Sequence, residues 1–260
     1  MSTTEAQFAP TAPIAFLTFN RPHARNALTW GMYDALVDAC ERVDADSRIR
    51  VFVIRAAGEA FAAGTDIGQF TEFRSGADGI AYERRLDTVV DRLERVVVPT
   101  VAQVHGVAAG GGCAIALACD LRVCTPAARF GVPIARTLGN CLSAANYARL
   151  VDLLGPARAK DLLFTGRLLD AAEADSLGLV TRMAEPEALD GAVRELAERL
   201  ASNAPLTLRA TKEAIRRISL HRRVDAAAAD DLVEACYASA DFHEGVDAFL
   251  TKRAPRFTGR

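Results

Sequence analysis

The sequence predicts an α/β fold that passes into a helical C-terminal region, and the prediction rests on three features. The chain opens strand, helix, strand: IAFLTF at 14–19 and RVFVIRA at 50–56 are short apolar runs, and between them MYDALVDACERVDADS repeats apolar groups at helical spacing. A glycine run, Gly110 to Gly112, stands between strand-like TVAQVHG and a small apolar helix. From Pro186 onward the pattern is almost wholly helical.

In chain order, a ragged first dozen residues precedes the strand at 14–19, and NRPHARNALTW (20–30) is a loop leading into the first helix, which sets Leu36, Ala39, Cys40 and Val43 on one side. The strand at 50–56 ends in AGEAFAAGTD, a loop of mostly small residues. RSGADG at 74–79 breaks the chain before a helix over 80–97. Pro99 introduces TVAQVHG, the glycines start the next helix, and DLRVCTP supplies another strand. Short helices separated by Gly155, Pro156 and Gly166 fill 135–177, and further helices fall at 187–202, 205–219, 223–237 and 241–250.

The 260 residues are half apolar and one quarter charged, enough for one sizeable core. A formal charge of −2 gives no reason to expect nucleic acid or an anionic membrane as the main partner. The start MSTTEAQFAPTAP lacks a secretory pattern, and no apolar run approaches the roughly 20 residues that span a bilayer. Six cysteines without a CxxC pair suit free thiols in a reducing cytoplasm, which is the expected compartment.

Glycines at a helix start let a ligand approach amides that have no intrahelical partner, a good place to stabilise negative charge on oxygen. A tight turn in a crowded core is the alternative, and the glycines alone leave both open. Three separated segments narrow the choice: NRPHARNAL, AFAAGTDI at 60–67, and VHGVAAGGGCAIALACDLRV at 104–123. Together with the closing FLTKRAPRFTGR, they resemble the enoyl-CoA hydratase/isomerase (crotonase) family over residues 12–260.

The resemblance implies a ββα superhelical core over 12–200 and, over 201–260, a helical region that packs trimers, commonly paired into hexamers, and contacts coenzyme A. It implies an acyl-CoA thioester substrate, with coenzyme A as part of that substrate and no prosthetic group. The backbone N–H groups of Thr65 and Gly111 are expected to hold the thioester oxyanion, with the Thr65 side chain alternatively capping DIGQF. Arg25, Ala63, Asp66, Ile67 and Lys252 are the expected coenzyme A contacts; Arg25 and Lys252 are cations suited to phosphate, and Arg21 is expected to be structural.

Where standard hydratases of the family carry two glutamates, this chain has Ala114 and, in FGVPI, Ile134. Neither side chain transfers protons, so the usual hydratase mechanism does not carry over. Nearby Arg136 is suited to a substrate carboxylate, Asn140 to fixing water, and Cys141 to nucleophilic attack or simple core packing. The helix AYERRLDTVVDRL at 81–93 offers Glu83 and Asp87 as acid/base groups, although Arg84, Arg85 and Arg92 favour a solvated face. His23, His105, His221 and His243 form no catalytic pattern, with His105 expected to support the turn before the glycines. No metal or nicotinamide is expected, because HExxH and GxGxxG spacings are missing.

The expected function is an acyl-CoA lyase or isomerase of fatty acid or related metabolism, nominally an enoyl-CoA hydratase/isomerase, that stabilises an oxyanion or enolate. Decarboxylation of a malonyl-type thioester with Arg136 at the carboxylate is the alternative, because loss of CO2 makes an enolate without a base. Isomerisation or thioester hydrolysis stays open if Glu83 or Asp87 reaches the substrate. A catalytically inactive CoA-ester binder ranks next, and RNA binding through basic TKEAIRRISLHRR at 211–223 ranks last.

Overall fold

The structure, a computed structural model, describes residues 4–220 and 225–259. Its elements in chain order are β1 (Ala6–Ala9), β2 (Ile14–Phe19), α1 (Trp30–Ala45), β3 (Val51–Ala56), α2 (Gly76–Glu94), β4 (Thr100–Val104), β5 (Val107–Ala109), α3 (Gly111–Ala118), β6 (Leu121–Cys124) and β7 (Arg129–Gly131). They continue with α4 (Ile134–Thr137), α5 (Ala144–Leu154), α6 (Pro156–Thr165), β8 (Leu169–Asp170), α7 (Ala171–Ser176), β9 (Arg182–Met183), α8 (Leu189–Ser202), α9 (Pro205–Leu220), α10 (Asp230–Tyr237) and α11 (Ala240–Leu250).

The chain forms two compact units. The first, Met1–Thr65 with Val89–Phe130 and Leu169–His221, holds a six-stranded sheet in the order β1-β2-β3-β4-β6-β9. β1 pairs antiparallel with β2, and the remaining neighbours pair in parallel. Parallel strands covered on both faces read as continuous apolar runs, which is why the first four residues of β3, VFVI, are all buried. Ile14, Val51, Val53, Val101 and Val123 pack against Leu189, Ala192, Val193 and Ala197 of α8. α1 lies on β1 and β2 and buries the predicted stripe Leu36, Ala39, Cys40 and Val43. A smaller sheet orders β5-β7-β8.

The second unit, Asp66–Thr88 with Gly131–Leu168 and Arg222–Arg260, is helical around an aromatic cluster. Tyr237 and Phe242 lie 4.7 Å apart between ring centroids with their planes tilted by 50°, and Phe70 meets Tyr82 edge-on at 4.9 Å.

Three expectations are corrected. The ragged first dozen residues contain β1, whose ladder runs from Ala6 opposite Phe19 to Ala9 opposite Phe16; AQFA becomes a strand only because β2 offers it an edge. RSGADG is no break, since α2 begins inside it at Gly76. There the Asp78 carboxylate accepts from the Arg74 and Ser75 amides at 2.8 Å each, which caps the first turn. Gly79 is helical, and a Cβ there would strike the Tyr237 ring, so this glycine permits close packing rather than a turn. The helix expected over 223–237 begins at Asp230 after a 3-10 turn at Ala226–Ala229, and Arg223 and Val224 lie outside the described residues.

Side chains fix the loops that flank α3. Arg122, 6 % exposed, donates to the carbonyls of Ala116 at 3.2 Å, of Cys119 at 2.6 Å and of Leu179, tying off the end of that helix. Asn26, fully buried with φ of 53°, donates to the carbonyls of Ala57 and Ala60 at 2.8 Å each and accepts from the Arg21 amide at 2.7 Å. It thereby joins the loop after β2 to the loop after β3. Asn26→Ala removes the side-chain donor from the buried Ala60 carbonyl and the part-buried Ala57 carbonyl and loses a residue type that tolerates positive φ, so it should cost about 2–4 kcal/mol in urea denaturation. A loss below about 0.5 kcal/mol, the range of an ordinary surface change, would contradict that role.

Candidate active site

In the first unit the loop Phe61–Thr65 runs beside β5. The amides of Phe61 and Ala62 donate to the carbonyls of His105 and Val107 at 2.9 and 3.0 Å, and Ala109 donates back to Ala62 at 2.9 Å. On its other side, Leu28 N–H reaches the Gly64 carbonyl at 2.7 Å and Ala63 N–H reaches the Arg25 carbonyl at 3.0 Å. The loop is therefore held by main-chain bonds from both flanks. His105 adds a ring-nitrogen hydrogen bond to the Gly58 carbonyl at 2.9 Å, in the loop after β3.

The glycine run explains itself at this point. Gly110 has φ of 49°, a conformation that L side chains rarely adopt. A Cβ on Gly111 would collide with Tyr33 Oη, and one on Gly112 would press into Ala62. Gly111 opens α3, so its N–H has no intrahelical acceptor and stands at the positive end of the helix. Tyr33, fully buried, hydrogen-bonds through its hydroxyl to Thr65 Oγ1 at 2.8 Å, and a Cβ on Gly111 would lie 3.1 Å from the same oxygen. The structure thus brings Thr65 and Gly111 side by side, with Tyr33 wedged against both.

The N-cap of the following segment is Asp66, whose side chain accepts from Gly68 N–H at 3.0 Å at the start of the 3-10 turn Ile67–Phe70. Arg25 is exposed with φ of 50°, and its carbonyl bond to Ala63 places these two expected coenzyme A residues together. Arg21 donates to the Ala27 carbonyl at 3.0 Å and pairs with Glu5 at 3.2 Å, in keeping with a structural role. Ala114 is half-buried on the first turn of α3, its amide bonded to the Gly110 carbonyl at 3.0 Å.

In the second unit, Ile67 is buried, Lys252 is exposed after α11 with φ of 55°, and Arg136 is exposed on α4, which begins at half-buried Ile134. Asn140 donates to Tyr237 Oη at 3.0 Å. Glu83 overturns the expectation of a solvated face: Arg84 and Arg85 are exposed, but Glu83 is 2 % exposed. It shares the face of α2 that buries Tyr82, Leu86 and Val90.

Glu83 Oε1 accepts from the Tyr237 hydroxyl at 2.7 Å, and Oε2 accepts from Ser143 N–H at 2.8 Å. Burial pushes its carboxyl up to about 8; the two hydrogen bonds oppose that rise and Asp87 adds to it. Asp87 Oδ1 accepts from Ser143 Oγ at 2.7 Å and from Asn146 Nδ2 at 3.2 Å, with Arg149 at 3.7 Å. Tyr33, Tyr237, Ser143, Asn146 and Arg149 carry no sequence signal for these roles, because each partner is distant in the chain or the spacing marks only a core face.

Comparisons with known proteins identify the family. A family model described as enoyl-CoA hydratase/isomerase matches residues 10–260. The chain belongs to the enoyl-CoA hydratase/isomerase family. It is 34 % identical over 243 residues to the short-chain-enoyl-CoA hydratase of Clostridium acetobutylicum, covering 92 % of each chain. Among solved structures, an enoyl-CoA hydratase from Mycobacterium avium subsp. paratuberculosis superposes with a TM-score of 0.86 at 27 % identity, covering 99 % of this chain and 100 % of that one. A methylmalonyl-CoA decarboxylase in complex with 2-nitronate-propionyl-CoA gives a TM-score of 0.90 at 25 % identity, covering 100 % of both.

The fold is the mixed α/β crotonase fold with a helical C-terminal region, and the family places the chain among enzymes acting on acyl-CoA thioesters. In the basic stretch of α9, Lys212 pairs with Asp120 at 2.7 Å, and Arg216 and Arg217 pair with Glu213 at 2.8 and 2.7 Å. That internal pairing weakens the case for RNA; His221, Arg222 and Arg223 lie outside the described residues. Among the described residues, no helix is long and apolar enough to cross a membrane.

The Glu83 carboxyl yields a pH prediction. Its folded pKa of about 8 stands above the ordinary value of 4.5, so the folded protein holds a proton that the unfolded chain releases. This contribution is fully present below pH 4.5 and is lost as pH rises through 8. Glu83→Gln does not titrate, so in urea denaturation from pH 5 to pH 9 the wild type should lose ground to the variant by up to about 1.4 kcal/mol per pH unit. Parallel profiles would contradict the raised pKa.

Proposed function

We propose that the chain binds an acyl-CoA thioester and stabilises the oxyanion or enolate formed from it with the N–H groups of Thr65 and Gly111. The supporting observation is the placement of Thr65 beside the first residue of α3, with the buried Tyr33 hydroxyl against both. Preorganised amides of this kind contribute a factor of roughly 10²–10³ per donor, because they need no reorganisation as charge develops. Arg25 and Lys252, both exposed cations, are assigned to coenzyme A phosphates, with Ala63, Asp66 and Ile67 assigned to the adenine. Glu83 is assigned a proton-donating role on chemical grounds, since burial keeps its carboxyl protonated at neutral pH, and Asp87 is assigned to its support.

A second reading specifies the reaction as decarboxylation of a malonyl-type thioester. Ala114 and Ile134 bring no proton-transfer group to the two positions where the family resemblance expects glutamates, and loss of CO2 generates the enolate without a base. The structural similarity to a methylmalonyl-CoA decarboxylase supports this reading, with exposed Arg136 assigned to the departing carboxylate. We also infer a homotrimer or hexamer. Leu206, Ile215 and Ile218 of α9 are 77 %, 59 % and 57 % exposed, the kind of apolar surface a subunit contact removes from water.

The test is turnover by mass spectrometry on methylmalonyl-CoA, ethylmalonyl-CoA and crotonyl-CoA, using protein whose assembly is weighed by sedimentation. Y33F removes the hydroxyl that a side chain at position 111 would strike, so Y33F/G111A keeps the amide N–H and Y33F/G111P removes it. The proline variant should turn over roughly 10²–10³ times more slowly than the alanine variant. Equal rates would overturn the oxyanion role, and a monomeric mass the assembly. CO2 release lost in R136A supports decarboxylation; water addition to crotonyl-CoA contradicts it, and binding without turnover makes the chain an inactive CoA-ester binder.

A further inference from the structure

We propose that Cys141 and Cys236 form an oxidisable dithiol site that takes a peroxide as its two-electron oxidant and closes to an intramolecular disulfide. The inference is independent of the acyl-CoA reading. Cys141 stands in the turn between α4 and α5, and Cys236 lies on the last turn of α10. Cys141 Sγ donates to the Leu232 carbonyl at 3.5 Å. Leu232 precedes Cys236 by one helical turn, so the Cys141 thiol lies along the turn that carries Cys236, and each thiol perturbs the titration of the other. Closing the pair to a disulfide brings the two sulfurs to about 2.05 Å.

Their exposures divide the labour. Cys236 is half-buried and reachable by a small oxidant, whereas Cys141 is 6 % exposed and stands behind it as the resolving thiol. Neighbouring Cys141 draws the Cys236 thiol below the ordinary thiol value, which favours its thiolate. Cys141 is pushed up by neighbouring Cys236 and by burial. The remaining cysteines lack these features. Cys40 and Cys119 are buried and pushed up to about 12, and Cys124 is buried and pushed up to about 11, while Cys113 is 1 % exposed at the start of α3.

The chemistry balances in two steps. The Cys236 thiolate attacks one peroxide oxygen, the O–O bond breaks, Cys236 becomes a sulfenic acid, and hydroxide leaves to take up the proton the thiol had released. Cys141 sulfur then displaces the sulfenic oxygen, its proton leaves with that oxygen as water, and the S–S bond forms. Two thiols lose two electrons and two protons, and one hydrogen peroxide becomes two waters.

Trypsin cleavage after arginine and lysine isolates Cys141 in fragment 137–149 and Cys236 in fragment 224–252. After treatment of the full chain with stoichiometric hydrogen peroxide, alkylation and digestion without reductant, these fragments should appear as one linked species that dithiothreitol separates. Thiol titration of the denatured protein should show two of the six thiols lost. C141S should abolish the link and leave Cys236 as a sulfenic acid trapped by dimedone, with circular dichroism confirming the fold, while C40S should link as the wild type does. Recovery of both fragments separately alkylated, or linkage of Cys236 to another cysteine, would overturn the proposal.

Discussion

The first unit is organised around the contact between the loop that ends at Thr65 and the glycine start of α3, with the Tyr33 hydroxyl between them. Little freedom is left in that arrangement. Tyr33 is fixed because α1 buries it together with Leu36 and Cys40, and the loop is fixed by main-chain bonds to β5 and to the segment containing Leu28 and Arg25. Asn26 holds that segment in turn, and Arg122 ties off the far end of α3. An amide stabilises developing charge best when nothing around it must move, and this packing supplies such rigidity to the proposed oxyanion donors.

The second unit solves a different problem. It buries Glu83 among aromatic rings and supplies each carboxyl oxygen with one donor, the Tyr237 hydroxyl and the Ser143 amide. Those bonds favour the ionised form, yet burial outweighs them and the proton is retained at neutral pH. Asp87, one turn later, receives Ser143 Oγ and Asn146 and lies near Arg149, so adjacent carboxyls on one helix sit in unlike environments. Divergent environments for neighbouring titratable groups are a frequent mark of functional sites.

What was legible in the sequence was local. The β2 run, the α1 stripe and the need for glycines before α3 follow from spacing and from the missing Cβ, and the motif segments identified the family. The features that escaped depend on distant partners. AQFA is a strand only beside β2, RSGADG is helical because Asp78 caps it and Tyr237 packs on Gly79, and Glu83 loses its water to residues far along the chain. Tyr33 sat at helical spacing with Leu36 and Cys40, which marks a core face without revealing that its hydroxyl reaches Thr65. Charge pattern likewise misled at Glu83, because the flanking arginines are solvated while the glutamate occupies the buried face.

The central claim concerns an electrostatic effect on one carbonyl, and isotope-edited infrared spectroscopy reads it directly. Propionyl-CoA labelled with ¹³C at the thioester carbonyl should show its C=O stretch at lower frequency when bound to the protein than when free, if the proposed donors, the Thr65 and Gly111 amides, polarise the bond toward the oxyanion. Saturating binding with the stretch unmoved from its free value would contradict the account.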